Sequence, residues 1–154
     1  MKPALSVVCP VYNESGSLPE FHDRLLRAVR SLGDSYEIIY VNDGSRDSSL
    51  EVLKKFADTD ERVKIIDFSR NFGHQLAITA GMDHTTGEAT IVMDTDGQDP
   101  PELIPRLVEE WRAGFEVVYA IRSKREGESF FKKITAKIFY RLMPPARSTT
   151  ASDK

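Results

Sequence analysis

The sequence predicts an α/β fold: a doubly wound, mostly parallel sheet with helices on both faces. Two observations carry the doubly wound sheet. Short apolar runs rich in Val and Ile alternate with amphipathic stretches of helical period, an order that builds parallel strands joined by crossover helices. The unusual residues also cluster in the segments directly after the apolar runs, where open parallel sheets bind their ligands.

The first apolar run, 4–9, reads as a buried strand. Ser17-Leu18-Pro19-Glu20 has the form of a capping box and opens a helix to about residue 32. The unit then recurs. A strand is expected over 36–41, and a helix runs to about residue 57 from a second box at Ser48-Ser49-Leu50-Glu51. A strand over 63–68 is followed by a helix over 74–85, and a strand over 89–93 by a helix over 100–112, with Asp99 as its cap before Pro100 and Pro101. A fifth strand is expected over 116–121 and a last helix over 129–143, ending at Pro144-Pro145. Residues 144–154 read as a polar tail, so the expected organisation is one domain, 1–143, and a tail, 144–154.

Composition narrows the function classes. At 154 residues and 40% hydrophobic content, one well-buried core is expected and two ordinary domains are not. No apolar run approaches the ~20 residues of a membrane span and no signal-peptide pattern opens the chain, so a cytoplasmic chain is expected, peripheral at most on the cytoplasmic face of a membrane. The single Cys9 excludes an internal disulfide and suits a buried strand thiol, and three scattered histidines offer no zinc spacing. The net charge of −3 is uneven: residues 122–141 carry seven Lys/Arg against two Glu, a local +5, which leaves −8 elsewhere. No nucleic-acid partner is expected. No GxGxxG follows the first strand and no GxxxxGK[ST] exists, which disfavours dinucleotide-binding and P-loop chemistry.

The segment Ile91-Val92-Met93-Asp94-Thr95-Asp96-Gly97-Gln98-Asp99-Pro100-Pro101 is the most informative. Side chains at i and i+2 of an extended segment leave on one face, so Asp94 and Asp96 can converge on a hard cation. Mg²⁺ or Mn²⁺ held by one or two carboxylates keeps positions open for substrate phosphates, so a phosphorylated ligand is expected. The competing reading, that the acids only form a turn, accounts less well for having both. The other strand-end loops are Pro10-Val11-Tyr12-Asn13-Glu14, Asn42-Asp43-Gly44-Ser45, Ser69-Arg70-Asn71-Phe72-Gly73-His74 and Arg122-Ser123-Lys124-Arg125. Together they offer aromatic, acidic, amide and basic groups on one sheet edge, which suits a nucleotide. Each has a bland reading: a simple turn at 42–45, a surface aromatic at Tyr12, a solvated charge at Arg122 and a cap or packing contact at His74. Trp111 is expected in the core.

These five motifs, in this order and over about residues 5–143, resemble the family 2 glycosyltransferases, and among them the polyprenyl-phosphate branch that includes dolichol-phosphate mannosyltransferases and bactoprenol glucosyltransferases. The resemblance implies a GT-A fold, a nucleotide-sugar donor (GDP- or UDP-linked), Mg²⁺ or Mn²⁺, and a polyprenyl phosphate lipid acceptor. Pro10, Tyr12, Glu14, Val41 and Asp43 would hold the base and ribose. Asp94, Thr95 and Asp96 would lie at the diphosphate, with Asp94, Asp96 and Gln98 on the metal, and Arg122 would approach the phosphate or the acceptor. Asp94, Asp96 and Arg122 are thus the expected catalytic residues. The first acid of the family's Asp-Asp-Gly-Ser motif is Asn42 here, and Asp43 keeps the second. The similarity of motifs stops near Met143, so a truncated chain is expected, and with it the alternative of a nucleotide-sugar-binding or regulatory domain without turnover. A phosphoacceptor receiver domain is a third reading, disfavoured because Tyr12-Asn13-Glu14 stands where that scheme wants an acidic pair. On a helix over 129–143, Phe131, Ile134, Ile138 and Leu142 would share one face flanked by Lys133, Lys137 and Arg141, which suits either an anionic membrane surface or packing on the sheet.

Overall fold

The computed structural model describes residues 3–33 and 35–120. Four strands, β1 (Leu5–Val11), β2 (Tyr36–Asn42), β3 (Val63–Asp67) and β4 (Ala89–Val92), form one sheet in the order β3-β2-β1-β4, with every pairing parallel. Helices α1 (Leu18–Arg30), α2 (Ser49–Thr59), α3 (His74–Asp83) and α4 (Ile104–Arg112) connect or follow them, the last preceded by a 3-10 turn at Pro101–Leu103.

Alternation along the strands divides the core in two. Leu5, Val7, Cys9 and Val11 of β1, with Tyr36, Ile38 and Tyr40 of β2, face the side covered by α1, α2 and α4, where Leu18, Phe21, Leu25, Leu53, Ile104 and Val108 complete the larger cluster. Trp111 packs against this cluster, partly buried, as expected. Val8, Ile39 and Val41 face the other side and meet Ala77 of α3. Helix α3 lies so close to the sheet that a Cβ on Gly81 would run into the side chain of Val8 and crowd Val41. Helices therefore cover both faces. The strand path moves outward from β1 to β3 and then returns to the far side of β1 for β4, so the point where the order reverses lies between β1 and β4. A parallel sheet opens a crevice there, beyond the carboxyl ends of its strands.

Three expectations need correction. Neither Ser-x-x-Glu box forms. Ser17 and Ser48 occupy the cap positions without a side-chain cap bond. Ser17 Oγ instead donates to Glu14 Oε2 (2.7 Å), and the cap of α2 comes from Asp47, whose Oδ1 accepts the Ser49 N–H at 3.0 Å. The preceding loop already supplies partners, so the serines turn to it. Asp99 is not the cap of the fourth helix, because a 3-10 turn capped at Pro100 intervenes. Within the expected fifth strand, residues 116–120 form no strand and Val117 is 80% exposed. Apolar alternation makes a strand only where a ladder partner and a sheet face receive it, and among the described residues these have neither. The rest of that strand, Arg122, the 129–143 helix and the 144–154 tail lie outside the described residues.

Candidate functional site

The crevice is a cleft of about 300 Å³ lined by Pro10, Val11, Tyr12, Glu14, Asp43, Asn71, Gly73, His74, Ala77, Asp94, Thr95 and Asp96. That is the lower end of the range for small-molecule sites. Its walls come from the loops after all four strands, and hydrogen bonds between the loops set their positions.

The loop after β1 is laced to the loop after β2. Asn13 takes a left-handed conformation (φ 56°), which an Asn tolerates because its short amide can bond locally. Its Oδ1 accepts the Arg46 N–H (2.7 Å), and its own N–H donates to Ser45 Oγ (3.0 Å). The N–H groups of Glu14 and Ser15 donate to Ser49 Oγ (2.9 Å) and Asp47 Oδ2 (3.0 Å). Burial opposes ionisation of Asp47, but the bonds from Ser49 and Ser15 outweigh it and hold its carboxyl at about 2. Tyr12 is thereby held at the cleft with an exposed ring, and Glu14 lines the wall while its carboxylate accepts the Ser17 hydroxyl.

The loop after β2 is locked to the loop after β3. Asp43 is buried, and its two carboxylate oxygens accept the N–H groups of Phe72 (2.7 Å) and Gly73 (3.0 Å). Gly44 has φ 64°, and a Cβ there would collide with the backbone of Arg70 and Asn71, so the backbones of the two loops touch. Asn42 Nδ2 donates to Asp67 Oδ1 at 2.7 Å. An acid at position 42 would set two carboxylates together, so the amide suits this neighbour.

On the far wall, Thr95 is buried with its hydroxyl donating to the Pro10 carbonyl (3.2 Å), which turns Asp94 and Asp96 on either side of it to the cleft. Asp96 Oδ1 accepts the Gln98 N–H at 2.9 Å, the form of an Asx turn. His74, the first residue of α3, brings Nε2 to 3.5 Å from Asp94 Oδ1. Directly below, Cys9 is buried, and burial together with the Asp94 charge pushes its thiol far above the ordinary range, so it stays a neutral packing group.

The expected residues Pro10, Tyr12, Glu14, Asp43, Asp94, Thr95 and Asp96 thus converge. Two do not reach the cleft wall. Val41 is fully buried in the core beneath α3, and Gln98 is not among the lining residues, its backbone serving Asp96 instead. His74, read from the sequence as a cap or packing contact, lines the cleft beside Asp94. Its position directly after the glycine that closes the loop following β3 was the available signal. Asn71 and Ala77 also line the cleft.

The donor set fits a hard divalent cation. The lining side chains include the four carboxylates of Glu14, Asp43, Asp94 and Asp96 but no Lys or Arg among the described residues. No cluster of three His, Cys, Asp or Glu able to enclose a metal exists among the described residues, which leaves Asp94 and Asp96 as a two-carboxylate, open-sided set. Mg²⁺ and Mn²⁺ use such sets when substrate phosphates complete the coordination.

Comparison with known proteins identifies the family. The family model for glycosyl transferase family 2 matches residues 6–153, running on into the segment read as a tail. An uncharacterized glycosyltransferase of Bacillus subtilis, YkcC, is 56% identical over 138 residues, covering 90% of this chain and 43% of that protein. The bactoprenol glucosyl transferase of Shigella phage SfX is 42% identical, covering 90% of this chain and 45% of its own length. The chain thus spans less than half the length of these relatives. Among solved structures, a mannosyltransferase from Pyrobaculum calidifontis in complex with GDP-Man and Mn²⁺ superposes with a TM-score of 0.53 at 22% identity, covering 62% of this chain and 28% of that one. S. aureus TarS 1-349 in complex with UDP-GlcNAc gives 0.60 at 18% identity, covering 86% and 38%. These structural likenesses establish the GT-A, Rossmann-like α/β fold, and with the family match over nearly the whole sequence they make the chain a member of glycosyltransferase family 2.

Proposed function

We propose that the cleft binds a nucleotide-activated sugar through a divalent cation and serves inverting transfer of the sugar to a polyprenyl phosphate. The observation that carries the first part is the electrostatics of the cleft. Four carboxylates and no Lys or Arg among the described lining residues repel a diphosphate, so such a ligand enters as a cation complex. The lipid acceptor is supported by the relatives named bactoprenol glucosyl transferases, and the nucleotide-sugar by neighbours solved in complex with GDP-Man and UDP-GlcNAc.

In this reading Tyr12 offers a ring to the base, and Glu14 and Asp43 offer carboxylate oxygens to base and ribose. Val41 supports that end from the core, and Pro10 supports it by holding Thr95. Asp94 and Asp96 hold Mg²⁺ or Mn²⁺, with Gln98 fixing Asp96 through its backbone N–H. When bound, such an ion neutralises the charge that develops on the leaving diphosphate. A phosphate oxygen of the acceptor attacks the anomeric carbon from the opposite side as the bond to the nucleoside diphosphate breaks. With a second pKa near ~6, a phosphate monoester is largely ionised at pH 7, so little general-base help is needed. Arg122, outside the described residues, is assigned to the phosphate or the acceptor, and the segment 129–143 to the membrane surface that presents the lipid. Among the described residues no helix is long and apolar enough to cross a membrane.

The test combines calorimetry and product formation. GDP and UDP are titrated into the chain with Mn²⁺ or with EDTA, and radiolabelled GDP- and UDP-sugars are then offered with a short-chain polyprenyl phosphate. Binding of one nucleotide that depends on Mn²⁺, and transfer from the matching sugar, are expected. Binding unchanged by EDTA would remove the cation from the reading, and binding without transfer would favour a nucleotide-sugar-binding domain without turnover.

A further inference from the structure

We infer that His74 is a positioning residue: its imidazole holds the Asp94 carboxylate in the orientation that receives the divalent cation. The inference rests on the proposed cation site and extends it to a residue that nothing else assigns. His74 Nε2 stands 3.5 Å from Asp94 Oδ1, and both side chains line the cleft. His74 is the single imidazole among the described lining residues, which otherwise bring four carboxylates and no Lys or Arg.

The platform under His74 is built to hold it still. Gly73, immediately before it, has φ 101°, a conformation that side-chain-bearing residues rarely adopt, and its N–H is bound by the buried Asp43 carboxylate at 3.0 Å. Its carbonyl accepts the N–H groups of Leu76 (3.0 Å) and Ala77 (3.1 Å), which starts α3 at His74. Ala77 is fully buried against Val8, Ile39 and Val41, and Gly81, one turn further, brings the helix backbone down onto Val8. The helix start is therefore anchored both by Asp43 and by the sheet. Asp94 follows the end of β4, and its side chain is 41% exposed. Binding a cation requires one orientation of that carboxylate, and an imidazole on a rigid platform beside it favours one. This is the way outer partners orient metal-binding side chains, and their loss commonly weakens metal affinity ~10–100-fold.

The experiment measures Mn²⁺ affinity by electron paramagnetic resonance at one fixed pH in the presence of GDP or UDP, for the parent chain, His74→Ala, His74→Gln and Thr79→Ala. Metal-free nucleotide affinity is measured in EDTA alongside. Gln offers an N–H at comparable reach. Thr79, whose hydroxyl only caps the Gln75 carbonyl on the outer side of α3, controls for general loosening of the helix. The expected result is a Kd for Mn²⁺ raised about tenfold in His74→Ala, restored to near the parent value in His74→Gln, and unaltered in Thr79→Ala, with EDTA affinities equal throughout. An unchanged Kd in His74→Ala would overturn the inference, as would equal loss in Ala and Gln or a matching loss in EDTA, which would make His74 a direct nucleotide contact. A parent chain that binds no Mn²⁺ with either nucleotide would instead overturn the cation site itself, and the inference with it.

Discussion

Asp43 reaches across to Gly73: its Oδ2 accepts the Gly73 N–H at 3.0 Å while Oδ1 takes Phe72 N–H at 2.7 Å. A residue expected to meet the nucleotide is thus also the clamp on the loop from which α3 starts. Each carboxylate oxygen keeps a second lone pair for a ligand, so the two roles are compatible.

Replacing Asp43 with Ala should therefore be felt twice. Two part-buried backbone N–H groups lose their acceptor, a cost of about 2 kcal/mol, and nucleotide affinity falls with or without metal because the Asn71–His74 wall is no longer held. Urea unfolding gives the first quantity and calorimetry in EDTA the second. Asp43→Asn, with one acceptor oxygen left, should fall between. A mutant with parental stability would return Asp43 to the role of a simple turn residue.

Asp96→Ala should act only through the cation. The side chain is exposed and its bond is to the neighbouring Gln98 N–H, so the fold has little to lose. Removing one of two carboxylates from the cation should cost roughly 2 kcal/mol, about thirtyfold in the Kd of the Mn²⁺-dependent nucleotide complex. Far-UV circular dichroism checks the fold and calorimetry the affinity. Parental, metal-independent binding in the mutant would end the metal role of Asp96.

Stability should fall on mild acidification, because of His22. Its ring is buried, stacked on Phe56 at 3.9 Å between centroids, with Nδ1 2.9 Å from the Tyr40 hydroxyl. Burial, the largest influence, lowers its pKa from the ordinary 6.5 despite Asp23 and Asp60 nearby. The unfolded chain therefore takes up this proton at a higher pH than the folded one. The contribution is complete above pH 6.5 and declines as the pH drops below it. The depressed carboxylates, such as Glu37 held at about 2, begin to cost stability only below their ordinary 4.5. Burial opposes ionisation of Glu37, but Lys64, Ser6 and Thr86 overcome that. The interval between 6.5 and 4.5 thus isolates the histidine. Melting temperatures measured across it should drop for the parent and stay flatter for His22→Gln; parallel curves would discount His22.

Residues 129–143 should bind anionic membranes. At helical spacing Phe131, Ile134, Ile138 and Leu142 would share a face with Lys133, Lys137 and Arg141 at its margins, and each basic residue would contribute ~1 kcal/mol near an anionic surface and less as salt rises. Co-sedimentation with anionic and neutral vesicles at two salt concentrations measures this. Equal recovery on both vesicle types would favour packing of that face within the protein.

The sequence by itself determined the alternation of strands and helices from β1 to α4, the parallel sheet and the edge on which the cleft lies. Periodicity and the residues after each apolar run are local properties, and a parallel arrangement with crossover helices leaves one edge for the loops. The acid pair Asp94 and Asp96 was legible for the same reason, since i and i+2 at a strand end need no distant partner to share a face. Tertiary structure decided everything that depends on contacts between loops far apart in the chain. Asp43 meets Phe72 and Gly73, Asn42 meets Asp67, and His74 meets Asp94 only because β1 and β2 lie side by side with β3 and β4 at their flanks. The same contacts overruled local signals. Ser17 turned from its own helix to Glu14, and Val41 points into the core although Asp43, two residues on, opens the loop at the cleft. Residues 116–120 kept their apolar alternation without becoming a strand, because alternation prepares a segment for a sheet and a hydrogen-bonded neighbour is what makes it one.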